Sequence, residues 1–423
     1  MLETDAAGLG LSGASPRAAE DYRAAVSLYH ALHGDPLSRL EAAIADSPGF
    51  VMAHVLKADM LLVGASPEVA AMGADAVKAA SGLSATTREQ GHVAAAVQIA
   101  GGQFAAAGRI LEDVSVAEPL DGVALQAGQL MDFMLGDNRM LRDRIARALP
   151  AWSPQTPDYH AILGMHAFGL EETGFYDRAE AAGRQAIALE PRNAWAQHAV
   201  AHVLEMQDRR ADGVAWMRRE NLAWQTDSLF AVHNWWHLAL FHLGLGQIDE
   251  VLALYDGPIF GGGSDMAFDL LDAAALLWRL KLEGCATDDR FQALADAYER
   301  RGAYGLQAFD DAHAMMAFVG AGRDDAARDL LTALEAGAAG DGDNAMMTAE
   351  VGLPVARALH AFGQGRFAQA VDDLRTVRNR AHRFGGSHAQ RDVIDLTLIA
   401  AARAAGQTSL ERALLAERQA ARP

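Results

Sequence analysis

Residues 160 to 193, HAILGMHAFGLEETGFYDRAEAAGRQAIALEPRN, constrain the fold more than any other stretch. Apolar residues recur at spacings of three and four on both sides of Gly174, and residues so spaced share one face of a helix. The stretch predicts two amphipathic helices, turned back at Gly174 and stopped by Pro191. Ala167, Ala179 and Ala186 stand where the two helices face each other, and small side chains there let the backbones approach closely. A hairpin of this size cannot bury its apolar face alone, so it must stack on others like it.

The others are present. Similar second-helix starts follow at GQFAAAGRIL (Gly102), GQIDEVLALY (Gly246), GRDDAARDLL (Gly322) and GRFAQAVDDL (Gly365), and Pro48 in ADSPGF marks another repeat end. The length of 34 residues, with small residues and a closing proline, is that of a tetratricopeptide repeat. Alternating β-branched runs are nearly absent. The chain is therefore expected to be all-α, one tetratricopeptide-like helical-hairpin superhelix (an α-solenoid) of degenerate repeats over residues 1–423, with 1–20 loosely ordered. The Gly-rich stretches 256 to 266, 335 to 347 and 383 to 392 read as loops over its rim. GGG at 261 to 263 opens no helix after a strand, so it is no phosphate loop.

Bulk properties narrow the function. Charged residues make up 22% and the formal charge is −19, which describes a globular chain without the basic surface a nucleic-acid binder needs. No stretch approaches the roughly 20 apolar residues that span a bilayer, and the first residues lack the pattern of a signal peptide. The single cysteine, Cys285, excludes an internal disulfide. These features point to the cytoplasm, with no nucleic acid and no membrane as partner, and they leave a homo-oligomer open. Cys285 precedes acids that raise a thiol pKa, and no serine nucleophile elbow is present.

The chemistry gathers in residues 191 to 246, which hold five of the fifteen histidines. His198 and His202 are one helical turn apart with Glu205 following, and His233 and His237 are again one turn apart. Two such pairs on neighbouring helices match the way imidazoles grip Zn²⁺ or Fe²⁺, although HExxH is absent because Ala199 follows His198. Aligned on the small packing positions of their repeats, His92 matches His198 and His313 matches His237. These histidines, with His202 and His233, are expected on an exposed concave stripe. His166, His242, His360 and His382 read as packing residues, and His30, His33 and His160 are given no role.

The order of several segments resembles the tetratricopeptide repeat protein 38 family: TTREQGHVAA, FGLEETGFYDRAE, NAWAQHAVAHVLEM, HNWWHLAL, DLLDAAALLWRLKLEG, FDDAHAMMA, VGLP and GGSHAQRDV. The resemblance spans nearly the whole chain and implies an α-helical superhelix but no particular reaction. The family often has Asn where this chain has Asp310, which lowers the weight of that residue.

Two functions follow as expectations. The first is a small-molecule enzyme or binder with a site inside the solenoid, hydrolase- or lyase-like, by acid–base or metal-assisted chemistry. His198, His202, Glu205, His233, His237, Asp311 and His313 would carry it. Asn234, Trp236, Asp269, Asp272, Arg391 and His92 would bind substrate, Arg391 by holding a carboxylate or by pairing with Asp392. A divalent metal, if present, would sit on His198, His202, His233 and His237. The second is a peptide- or protein-binding scaffold without catalysis, the common use of such repeats.

Overall fold

The computed structural model describes residues 2–64, 66–219 and 223–421. Residues 220–222, inside the histidine-rich stretch, lie outside the described residues. The chain is all-α, built of consecutive antiparallel helical hairpins; among the described residues the β structure is a two-stranded ribbon of Glu3–Thr4 against Gly10–Leu11 and an isolated bridge between His33 and Ser228. Among the described residues no helix is long and apolar enough to cross a membrane.

The 160–193 hairpin forms as its pattern dictates. Helix Tyr159–Glu171 packs on helix Tyr176–Leu189. Gly174, at φ +81°, makes the turn, and the amides of Gly174 and Phe175 bond the carbonyls of Glu171 and Leu170. Ala167, Ala179 and Ala186 are fully buried between the helices. Asn193 then caps the next helix, Ala194–Met206, accepting from the Ala196 amide at 2.9 Å while its own amide donates to the His160 carbonyl at 3.1 Å.

The contacts divide the chain into two compact units, residues 1–203 with 219–234, and residues 204–218 with 235–423. In the first unit, the hairpins run from Pro16–Ala31 with Pro36–Asp46 to Tyr159–Glu171 with Tyr176–Leu189. Close approach there depends on small residues. A Cβ on Gly169 would stand 2.5 Å from the Leu141 carbonyl oxygen, so helix Asn138–Ala148 touches helix Tyr159–Glu171 backbone to backbone. The Ser228 hydroxyl donates to the Leu32 carbonyl at 3.0 Å, tying the 223–234 segment back to the end of the first helix. In the second unit, helix Ala267–Leu282 packs against helices Asp288–Arg301, Ala308–Ala321 and His388–Ala404.

Three expectations need correction. Of 383 to 392, all but 385–387 is helical, within Arg378–Phe384 and His388–Ala404. Residues 2–20 are not loosely ordered: the ribbon is held by Arg88 donating to the Gly10 carbonyl at 2.8 Å and by the Ser12 amide on Glu89 at 2.8 Å, and Ser15 caps a helix that already starts at Pro16. Most of 335 to 347 is also helix, since Asp324–Ala338 runs into it and Asp343–Met347 closes it. The alanines around Gly337 keep the helix going until the glycines at 340 and 342 release it.

Candidate functional site

In the first unit the structure draws three of the candidate histidines together. His198 and His202 lie one turn apart on helix Ala194–Met206, and His233 lies near the start of helix Ala231–Gly244. Their ligand nitrogens fall within 4.8 Å of one another. His198 Nε2 and His233 Nε2 are 3.0 Å apart, and the rings of His198 and His202 meet edge-on at 4.3 Å. Two facing Nε2 atoms either share one proton or turn both lone pairs on a cation. Adjacent nitrogens on a tetrahedral zinc would be roughly 3.3 Å apart, so the second arrangement needs little movement.

The expected exposed stripe is not what forms. His198, His202 and His233 are at most 3% exposed. Phe168, Trp195 and Phe230 cover them, with ring centroids 5.2–5.5 Å from the imidazoles they touch. Aromatic walls exclude water and raise the cost of leaving a charge unpaired there.

A carboxylate faces His202 from another helix. Glu171, last residue of Tyr159–Glu171, places Oε2 at 3.4 Å from His202 Nδ1. Glu171, Glu172 and His202, all buried, bring their donor atoms within 4.8 Å of one another. A carboxylate behind an imidazole fixes its tautomer and orientation. Sequence spacing could not have found Glu171, because it is 31 residues upstream of His202.

Other first-unit candidates have structural partners. His92 Nε2 bonds Asp121 Oδ2 at 2.8 Å, and Arg88 reaches the same oxygen at 2.8 Å. Burial works to raise the Asp121 pKa, but His92 and Arg88 hold it well below the usual carboxylate range. Asn234 donates to the Ala194 carbonyl at 3.4 Å. Two histidines given no role share a half-buried acid: His30 Nδ1 and His160 Nε2 lie 3.2 and 3.7 Å from the two oxygens of Asp158. Asp158 takes a left-handed backbone, φ 58°, to stand between them.

The remaining candidates belong to the second unit: Glu205, Trp236, His237, Asp269, Asp272, Asp311, His313 and Arg391. His237 follows His233 by one turn on a continuous helix. His313 donates from Nδ1 to the Phe309 carbonyl at 2.8 Å, which leaves Nε2 as a bare acceptor. That nitrogen is buried without a hydrogen-bond partner. Burial, with the Arg279 charge adding to it, holds the His313 pKa down to about 4. Asp311 accepts from the Gly305 amide at 3.0 Å, holding the loop before its helix and leaving Oδ2 without a partner. Burial, with Asp310 beside it, raises Asp311 to about 7. Asp310 itself pairs with Arg301.

Asp269 accepts from the Ser264 hydroxyl at 2.8 Å, and Asp272 is fully buried. The Arg391 guanidinium reaches back to the carbonyls of Gly385 and Gly386, and Asp392 is bound by Arg418. The Gly385–Gly386 turn, both glycines at positive φ, presents these carbonyls to Arg391.

No family model matches the sequence. Among solved structures, a chain of the APC/C hetero-tetramer Cut9-Hcn1 aligns at 13% identity over 90% of this chain and 76% of its own, with a TM-score of 0.38. The TPR domain of P58(IPK) aligns at 14% identity over 92% of this chain and 99% of its own, with a TM-score of 0.22. Likeness at this level bears on neither reaction nor partner.

Proposed function

We propose that the protein binds a divalent metal, Zn²⁺ or Fe²⁺, through His198, His202 and His233, and uses it on a small molecule in hydrolase- or lyase-like chemistry. The observation that carries this reading is the meeting of three buried imidazoles, from two helices, with nitrogens within 4.8 Å. Nitrogen donors of this kind suit zinc, iron, copper or nickel and not magnesium or calcium. His237, one turn beyond His233, has the spacing at which a second imidazole of one helix serves the same ion. Glu171 orients His202 and increases its basicity. An ion so held supplies Lewis-acid polarisation of a carbonyl or of water. The ordered motifs also support membership of the tetratricopeptide repeat protein 38 family.

A peptide- or protein-binding scaffold is the second reading, favoured by the stacked hairpins themselves. On that reading the histidines are packing groups. Metal analysis of protein purified without a histidine tag separates the two. The expected result is about one ion per chain, lost in the double variant His198→Ala/His233→Ala. Substoichiometric Zn, Fe, Mn, Ni and Cu in the wild-type protein would remove the metal reading.

A further inference from the structure

Arg279 is a buried cation whose charge has no direct counter-ion. It stands on helix Ala267–Leu282 at 4% exposure. Its terminal nitrogens donate to the carbonyls of Ala275, at 3.0 Å, and of Ala389, at 2.6 Å. Its guanidinium carbon lies 5.4 Å from the ring centroid of Trp236. Among the described residues it forms no direct ion pair; Asp392, Glu205 and Asp272 act on it only at longer range, and Asp392 is bound by Arg418. A guanidinium carries five N–H donors, and two are accounted for by carbonyls. A charge taken out of water is costly unless it is both paired and hydrogen-bonded.

His313 supplies the complement. Its helix, Ala308–Ala321, packs directly on that of Arg279. Its Nδ1–H is held by its own helix, and its buried Nε2 is an acceptor without a donor. Asp311 Oδ2 and the Tyr298 hydroxyl, in the same unit, are likewise buried without partners. Three such polar groups in one unit are hard to reconcile with a purely structural role. A cation beside a bare acceptor calls for a ligand that offers an anion to the first and a donor to the second.

We propose that Arg279 and His313 bind a small oxyanion that carries its own hydroxyl, a hydroxycarboxylate or a hydrogen phosphate. The site stands on residues other than the imidazole cluster and does not depend on the metal reading. Arg279 takes the anion-holding role that sequence spacing gave to Arg391.

Isothermal titration of the full chain with inorganic phosphate, glycolate and acetate tests it. Saturable binding of phosphate or glycolate is expected, and whichever binds identifies the class of oxyanion. Acetate, lacking the hydroxyl, should bind at least tenfold more weakly. Affinity should fall at least tenfold in Arg279→Met and in His313→Phe. Should Arg279→Met fail to fold by circular dichroism, His313→Phe and Arg279→Lys decide. No saturable binding of either oxyanion by the wild type, acetate binding equal to glycolate, or unchanged affinity in the folded variants overturns the proposal.

Discussion

Replacing Asp311 by Asn should stabilise the second unit, and more so as the pH rises. The Asp311 side chain is buried, one oxygen receives the Gly305 amide, and the other has no partner. Asparagine keeps the carbonyl acceptor and removes the charge. The carboxyl titrates near 3.8 when unfolded and at about 7 when folded. Below 3.8 both states hold the proton, and the group is neutral to stability. Between the two values the unfolded chain releases the proton while the folded chain keeps it. Stability then falls by about 1.4 kcal/mol per pH unit. Above 7 both states are ionised and the penalty stays constant. From pH 5 to pH 8 the wild type should lose about 3 kcal/mol relative to Asp311→Asn through this group. A unit of this size shifts its melting temperature by about 2–4 °C per kcal/mol, so the gap should widen by about 6–12 °C. Loss of a carboxylate near a helix N-terminus opposes this by about 0.3–1 kcal/mol only where the folded group is ionised, at pH 8, which trims the widening without closing it. Thermal melts of both proteins at pH 5 and pH 8 measure it. A gap that stays constant across that range would refute a proton held on Asp311 by burial.

Other outcomes follow from burial and close contact. Arg144 grips Asp132 with two hydrogen bonds of 2.7 and 2.8 Å, both side chains buried. Asp132→Ala leaves that guanidinium unpaired and should cost about 3–5 kcal/mol in urea denaturation, where a loss under 1 kcal/mol would show the pair to be dispensable. Gly169→Ala puts a methyl group 2.5 Å from the Leu141 carbonyl oxygen and should cost about 1–3 kcal/mol. A melting temperature equal to wild type would contradict that backbone contact. Glu171→Gln should weaken metal binding about 10–100-fold while preserving the fold, and unchanged metal affinity would remove Glu171 as the residue that orients His202.

The helices were legible because their signals are local. Apolar spacing, the Gly174 turn and the Pro191 stop each act within a few residues, so the 160–193 hairpin forms where the pattern places it. The loop expected at 335 to 347 failed because glycine content outweighed the helix-forming alanines beside it. The ordering of 2–20 depends on Arg88 and Glu89, some 77 residues away for Ser12, and no local pattern carries that information. Helical spacing joins His198 to His202, but the approach of His233 depends on how two hairpins stack. Glu171, Arg279 and the His30–Asp158–His160 set were missed for the same reason. Each takes its meaning from partners brought by packing.

X-ray absorption at the metal edge, on untagged protein loaded with zinc, tests the central claim most directly. Binding by His198, His202 and His233 should give a nitrogen shell at about 2.0–2.1 Å with outer-shell scattering from three or four imidazole rings. A shell of oxygens without imidazole scattering, or an unchanged spectrum in His198→Ala/His233→Ala, would contradict it.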